Sequence, residues 1–333
     1  MSVPILAGDF PSGQCMSEER DNKGWAGRSV LVTGASGFIG RALVRHLGAQ
    51  GARTTALSRT AREDEPGVAW RQWDGRDSSA LEAVFSDCDP EVVFHLASVV
   101  HGRRELEHVL PTLEGNLLSA VAILTAAAKA GDCRVVLAGS LEEPSGPDAA
   151  PVPASPYAAS KWAASGYGRM FHALYGVDVA IARIFMVYGP AQPDTKKLVP
   201  YACLAAGRGE APALMSGGRL VDWIYVDDVA EGLLALGASH VADGRHVDLG
   251  TGVHVTTGDV AEKICAIAGN GVRPEFGALP DRPMEQVRLA DVATAEALTG
   301  WRPRVGIDEG LARTYEWFTA HAPGEPAAKK ETT

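Results

Sequence analysis

Tyr157 and Lys161 stand four residues apart in Ser155-Pro156-Tyr157-Ala158-Ala159-Ser160-Lys161, and helical spacing continues to about residue 175. An i, i+4 pair shares one helix face, so an ammonium can sit near a phenol. A neighbouring cation stabilises phenolate and draws a tyrosine pKa from near 10 toward neutrality, which makes the phenol usable as an acid or base. Upstream, Ser140 ends the β-rich run Val135-Val136-Leu137-Ala138-Gly139-Ser140. At the carboxyl end of a sheet strand its hydroxyl faces the cleft where doubly wound sheets bind ligands, and it can hold a carbonyl or alkoxide oxygen beside Tyr157. Ser140, Tyr157 and Lys161 are therefore the expected catalytic set.

Val32-Thr33-Gly34-Ala35-Ser36-Gly37-Phe38-Ile39-Gly40 is a strand running into a G-x-x-G-x-x-G loop that opens a helix. Glycines there permit a tight turn and close approach of backbone to a pyrophosphate, while the helix N-terminus offers the positive end of its dipole. Gly34, Ser36, Gly37, Phe38, Ile39 and Gly40 are the expected dinucleotide cradle. About 20 residues beyond such glycines an NAD site places an acidic residue on the ribose hydroxyls, whereas a 2′-phosphate calls for a small polar residue and arginine. This chain reads Ala56-Leu57-Ser58-Arg59-Thr60-Ala61-Arg62. Ser58 and Arg59, with Arg62, predict a preference for NADP(H), NAD(H) remaining possible. Asp74, after a further β-like run, is placed to accept from the adenine amino group.

The elements that must position these groups alternate in type. Residues 29–33, 53–57, 91–96, 134–138 and 177–185 read as buried strands and 38–50 as an amphipathic helix, which predicts an α/β fold with a parallel sheet covered on both faces. Residues 112–130 are alanine-rich and apolar nearly all round, as in a helix buried on two sides. After Tyr188-Gly189-Pro190 the chain becomes richer in proline and in long loops. The expected organisation is a leader over 1–26, a Rossmann-type doubly wound domain over 27–190, a smaller substrate lobe over 191–321 of which about 221–260 returns to the first domain, and a tail over 322–333.

Composition narrows the function classes. The 333 residues are 46% hydrophobic and 22% charged, with a formal net charge of -10. Such a balance argues against unspecific attraction to nucleic acid or acidic lipid, so an anionic substrate requires local arginines. Five scattered cysteines without a C-x-x-C pair fit a reducing, cytoplasmic setting. No apolar run reaches the roughly 20 residues of a membrane span, since Ser119 and Thr125 interrupt the longest and Lys129 closes it. The nine histidines include no H-E-x-x-H and no zinc-spaced cluster, so no metal is expected. His95 reads as a core histidine.

Taken together with Phe94-His95-Leu96-Ala97-Ser98, Arg183-Ile184-Phe185-Met186-Val187-Tyr188-Gly189-Pro190, Asp222-Trp223-Ile224-Tyr225-Val226-Asp227-Asp228, Asp248-Leu249-Gly250-Thr251-Gly252 and Gly300-Trp301-Arg302-Pro303, these motifs resemble the extended short-chain dehydrogenases/reductases of the NAD-dependent epimerase/dehydratase family. The resemblance spans about 28–320 and implies a nucleotide-diphosphate sugar as substrate. It also implies that Leu96, Ala97 and Ser98 run along the cofactor, that Lys161 holds the nicotinamide ribose, and that Lys197 and Leu198 lie along the nucleotide. His101 is near enough to the expected nicotinamide to contact substrate. A homodimer is implied as well, packing the helices over 112–130 and 156–175 into a four-helix bundle.

Departures from the family pattern refine the chemistry. Sugar 4,6-dehydratases carry S-T-D-E at the strand end; this chain has Gly139, Ser140, Leu141 and Glu142. A leucine cannot protonate a leaving hydroxyl, which disfavours dehydration. The Gly-Ser-x-Glu-Glu run resembles nucleotide-sugar 4-ketoreductases instead, with Leu141 and Glu142 beside the sugar. Met186 stands where relatives often have Asn, lowering the polarity of the pocket. Arg219, which by period 2 shares a strand face with Val221, and Arg282 and Arg288 are the candidates for the diphosphate. The sequence therefore predicts NADPH-dependent reduction of a nucleotide-linked 4-keto-6-deoxysugar by hydride transfer. The alternative is a 4-epimerase that retains NAD, and lesser alternatives are a dehydratase or a non-catalytic NADP sensor.

Overall fold

A computed structural model describes residues 24–100, 103–144, 151–280 and 287–321. Seven parallel strands form the main sheet: β1 (Ser29–Thr33), β2 (Arg53–Ser58), β3 (Val68–Gln72), β4 (Val92–His95), β5 (Arg134–Ser140), β6 (Val179–Ile184) and β9 (His246–Leu249). Their order across the sheet is β3-β2-β1-β4-β5-β6-β9. The register aligns Thr33 with Leu57 and His95, and Ser140 with Ile184. The carboxyl ends therefore meet along one edge, with the order reversing between β1 and β4, where ligands of such sheets bind. On one face α1 (Phe38–Ala49) and α7 (Val226–Ala238) pack over Val30, Val32, Phe94, Val136 and Ala182; on the other α2 (Ser78–Cys88), α4 (Ser119–Ala130) and α5 (Pro156–Tyr175) cover Leu31, Val93, Val135 and Ile181. Burial on both faces explains why these strands are continuous apolar runs.

The second lobe has its own core. Strands β7 (Met186–Tyr188), β8 (Leu220–Tyr225) and β10 (His254–Thr256) form a small sheet. Helices α6 (Leu198–Gly207), α8 (Thr257–Ala268) and α10 (Ile307–Ala320) enclose Tyr188, Cys203, Trp223, Ile264, Leu311 and Phe318 against it. Helix α9 (Val292–Thr299) lies by β9. The lobe thus begins at β7, inside the span expected for the first domain, and the returning stretch is 226–249, since β8, β10 and α8 belong to the small lobe. Buried Asp222 ties the lobes together: it accepts from Thr251 N and Oγ1 (both 2.7 Å), Gly252 N (2.9 Å) and Ala290 N (3.0 Å).

Three expectations change. Residues 24–26 are not leader, because Trp25 is 6% exposed, its ring 5.8 Å from that of Phe94 with Arg28 over it; residues 1–23 and the expected tail at 322–333 lie outside the described residues. The helix expected from 112 starts earlier: a single helical run, Leu106–Ala130, joins a 3-10 turn (Leu106–His108), α3 (Val109–Thr112), a π-helical turn (Leu113–Leu118) and α4. Its 25 residues are long and apolar enough to cross a membrane, contrary to the sequence reading, yet Ile123, Leu124 and Ala127 are spent in the sheet core. Nor is it buried all round, since Leu110, Leu113 and Leu118 face outward.

Candidate active site

The cradle between β1 and α1 is closed on itself. Gly34 adopts φ +68°, and a Cβ there would stand 2.6 Å from Ala97 N, so the turn lies directly on the loop after β4. A Cβ on Gly40 would stand 2.1 Å from the Gly34 carbonyl oxygen. Gly37, the N-cap of α1, brings no side chain to the first-turn amides, so the helix start is open to an anion. These are the features a pyrophosphate requires, and Gly34, Ser36, Gly37, Phe38, Ile39 and Gly40 fit a dinucleotide.

Around it, Thr33 Oγ1 accepts from Ala97 N (3.0 Å) and meets His95 Nδ1 (2.9 Å), while His95 Nε2 lies 3.3 Å from Ser119 Oγ. Burial, together with the charge of Lys161, lowers the His95 pKa to about 3, so it is a neutral core histidine, as its sequence context implies. At the end of β2, Ser58 is buried and its hydroxyl accepts from Thr60 N (3.3 Å); Arg59 is exposed, its carbonyl fixed by Gln72 Nε2 (3.0 Å). Arg62 stacks on Trp70 at 5.0 Å. Asp74 Oδ1 accepts from Arg76 N (2.8 Å) and Asp77 N (3.0 Å), bonds that hold its carboxyl below the usual range.

Helix α5 carries the tyrosine and lysine. Ser155 caps it, its Oγ accepting from Ala158 N (3.1 Å), and Pro156 follows in the first turn. Ala158, Lys161, Ala164, Ser165, Gly168 and Phe171 form its buried stripe. Lys161 is 4% exposed; its Nζ donates to Ala138 O (2.9 Å), and burial lowers its pKa to about 8. Ser140 hydrogen-bonds the Tyr157 phenol, so the structure brings these two expected residues together. The expected fall in the Tyr157 pKa is absent: burial raises it, the Ser140 bond opposes only in part, and Glu142 and Glu143 add to the rise. Tyr157 thus holds its proton in this structure.

The sequence reading missed two residues. Asn116, 2% exposed in the π-helical turn, accepts from Ser98 Oγ (3.0 Å) and Val99 N (2.6 Å) and donates to Val99 O (3.2 Å) and Ser160 Oγ (2.9 Å). It fixes the Leu96, Ala97 and Ser98 loop against the turn of α5 between Tyr157 and Lys161; its only trace in the sequence is an amide within an apolar helix. Glu143 is the other: its Oε1 accepts from Ser140 N (2.8 Å).

The residues expected on the substrate side are spread over several elements. Leu141 is 7% exposed and belongs to the core that α1 and α7 cover, and Glu142 is half-buried beside it. Met186 on β7 packs between the two cores. Lys197 is the N-cap of α6 and Leu198 its first residue, half-buried against the small core. Arg219 precedes β8 rather than belonging to it, while Val221 enters the small core. Arg288, expected on the diphosphate, directs Nη2 at Glu143 O (3.5 Å), and burial and Arg183 push its pKa down. His101 and Arg282 lie outside the described residues.

Residues 30–250 match the NAD dependent epimerase/dehydratase family. The chain is 31% identical over 313 residues to a UDP-glucose 4-epimerase of Mycolicibacterium smegmatis, covering 87% of this chain and 98% of that one. It is 28% identical over 334 residues to a dTDP-glucose 4,6-dehydratase of Haemophilus influenzae, covering 87% and 97%. Among solved structures, the Bordetella bronchiseptica enzyme WbmF in complex with NADH superposes with a TM-score of 0.76 at 27% identity, over 89% of this chain and 93% of that one. The UDP-glucose 4-epimerase of Thermus thermophilus in complex with NAD gives 0.77 at 29% identity, over 88% and 99%.

Proposed function

Starting from the fact that the chain belongs to the NAD-dependent epimerase/dehydratase family, and is thus an enzyme of the short-chain dehydrogenase/reductase type, we propose that it reduces the 4-keto group of a nucleotide-linked 6-deoxysugar with NADPH. The observation that carries this reading is the end of β2, where buried Ser58 precedes exposed Arg59 and no acidic side chain stands from Ala52 to Arg62. In this reading Arg59 takes the 2′-phosphate, and that stretch offers no carboxylate to free ribose hydroxyls. The Gly34–Gly40 loop holds the pyrophosphate, Lys161 the nicotinamide ribose, and the nicotinamide supplies the reducing equivalent when bound. Ser140 orients the substrate carbonyl oxygen, and Tyr157, kept protonated by burial, gives that oxygen its proton. Dehydration lacks its acid, because a leucine stands at position 141 and Glu143 is engaged by Ser140 N. The 4-epimerase reading draws on the identity to the M. smegmatis enzyme. Following NADPH absorbance across a panel of nucleotide sugars tests the choice: stoichiometric loss with a 4-keto sugar is expected, and interconversion of sugars without net loss overturns reduction in favour of epimerisation.

The same reading includes a homodimer in the cytoplasm. Leu110, Leu113 and Leu118 of one helical run and Trp162 and Tyr167 of α5 are exposed large side chains on the two helices of the expected bundle. Light scattering at micromolar concentration is expected to give twice the chain mass; the mass of a single chain contradicts it.

A further inference from the structure

Glu143 is a carboxylate that the reaction above leaves unused, and it is buried to 2% exposure. Burying a charge is unfavourable unless hydrogen bonds and opposite charge replace the water. Here Oε1 accepts from Ser140 N (2.8 Å), the Glu143 amide donates to Ser140 O (3.1 Å), Oε2 lies 3.4 Å from His246 Nε2 on β9, and Ser165 of α5 hydrogen-bonds the carboxyl. Gly139 leaves the room: a methyl there would stand 2.7 Å from Oε1. Burial raises the Glu143 pKa, but His246, Ser140 N and Ser165 outweigh it and hold the group below the usual carboxylate range. It is ionised.

We infer that Glu143 is a positioning residue with two roles: it anchors the backbone of Ser140, and it is the counter-charge to the buried Lys161 ammonium. The inference rests on Ser140, Tyr157 and Lys161 being the catalytic set. The charged and titratable surroundings support it. Lys161 donates to a neutral carbonyl, that of Ala138, and the histidine near it, His95, is neutral. Both side chains close on the same stretch of β5, Lys161 Nζ on Ala138 O and Glu143 Oε1 on Ser140 N with Gly139 between, and Ser165, which bonds the carboxyl, stands one helical turn from Lys161; Glu143 is the charge that opposes the effect of burial on that ammonium. On its other sides Glu143 meets His246 and, through its carbonyl, Arg288, whose own neighbours are Arg183 and Asp248; Glu142 acts on Tyr157 from the exposed end of the loop. Because Glu143 raises the pKa values of both Lys161 and Tyr157, removing its charge moves both titrations to lower pH.

The test uses the full chain labelled with ε-13C-lysine, the Lys161 resonance being assigned by its loss in Lys161→Arg. Glu143→Gln keeps an acceptor oxygen for Ser140 N and loses the charge, so the Lys161 midpoint is expected to fall by about one pH unit. The alkaline limb of turnover moves the same way in whichever of the two assays, reduction or epimerisation, the wild type performs. Glu143→Val also loses the anchor, and its kcat is expected about tenfold below that of Glu143→Gln with KM little changed. Glu143→Asp restores the charge and returns the Lys161 midpoint to near the wild-type value. An unchanged midpoint in Glu143→Gln overturns the counter-charge; should that variant not fold, a Lys161 midpoint in Glu143→Asp displaced by a unit overturns it equally. Equal kcat in the Val and Gln variants overturns the anchor. A wild type that turns over no nucleotide sugar sinks the proposed reaction alone, because the lysine titration still decides the role of Glu143.

Discussion

Gly40→Ala isolates the contact on which the nucleotide cradle depends. The added methyl would meet the Gly34 carbonyl oxygen at 2.1 Å and Ala35 Cα at 2.8 Å, all backbone, and Gly34 itself rests on the Leu96–Ala97 backbone. Restoring van der Waals separation requires α1 and the loop to part by about 1 Å, an overpacking cost of roughly 1–3 kcal/mol, of which alanine's better helix propensity returns at most about 1. The larger effect falls on the cofactor. Moving the loop amides off the pyrophosphate forfeits charged hydrogen bonds of about 1.5–3 kcal/mol, or roughly tenfold to hundredfold in affinity. Gly48→Ala is the matched control on the same helix, since nothing lies within 4 Å of its added methyl; it is expected to be neutral or stabilising by up to about 1 kcal/mol. Calorimetric titration with NADP and thermal unfolding read both quantities. Wild-type affinity and Tm in Gly40→Ala would refute the packing argument.

Arg59→Ala should weaken NADP about tenfold while leaving NAD nearly unchanged, the exposed guanidinium contributing less than a buried one; titration of both cofactors checks it, and tighter NAD binding by the wild type would count against the reading of β2. Tyr157→Phe removes the transferable proton with little change in packing, so turnover should fall by roughly 10² to 10⁴ with cofactor binding intact, and an unaltered rate would take Tyr157 out of the chemistry. Asp222→Ala leaves four donors of the inter-lobe tie without an acceptor and should destabilise by on the order of 3–5 kcal/mol in chemical denaturation; a loss below about 1 kcal/mol would mean that the tie is dispensable.

The cofactor half of the molecule was readable from the sequence because its information is local. The strand, the glycines and the helix of residues 29–49 are contiguous, and the serine cap, proline and i, i+4 pair of α5 specify their own geometry. That Ser140 ends β5 was readable because the apolar run before it is contiguous. Asn116 and Glu143 were not, because their meaning lies in partners distant in sequence: Asn116 acts on Val99 and Ser160, and Glu143 meets His246 and Ser165. The environment of Arg288 was hidden for a related reason, since its neighbours Glu143, Arg183 and Asp248 come from three other segments. The residue type of Leu141 did not say that it joins the main core. The effect of Lys161 on Tyr157 failed for an energetic reason, since desolvation of a buried phenol outweighs the help that spacing alone promises.

The most direct test of the proposed reaction is to supply NADPH carrying two deuterium atoms at nicotinamide C4 with a nucleotide-linked 4-keto-6-deoxysugar and to analyse the product by mass spectrometry and NMR. Reduction predicts one deuterium per product, bound at sugar C4 as a single stereoisomer, with one NADP formed for each. Products without deuterium, or with both C4 configurations interconverting while the NADPH persists, would contradict it.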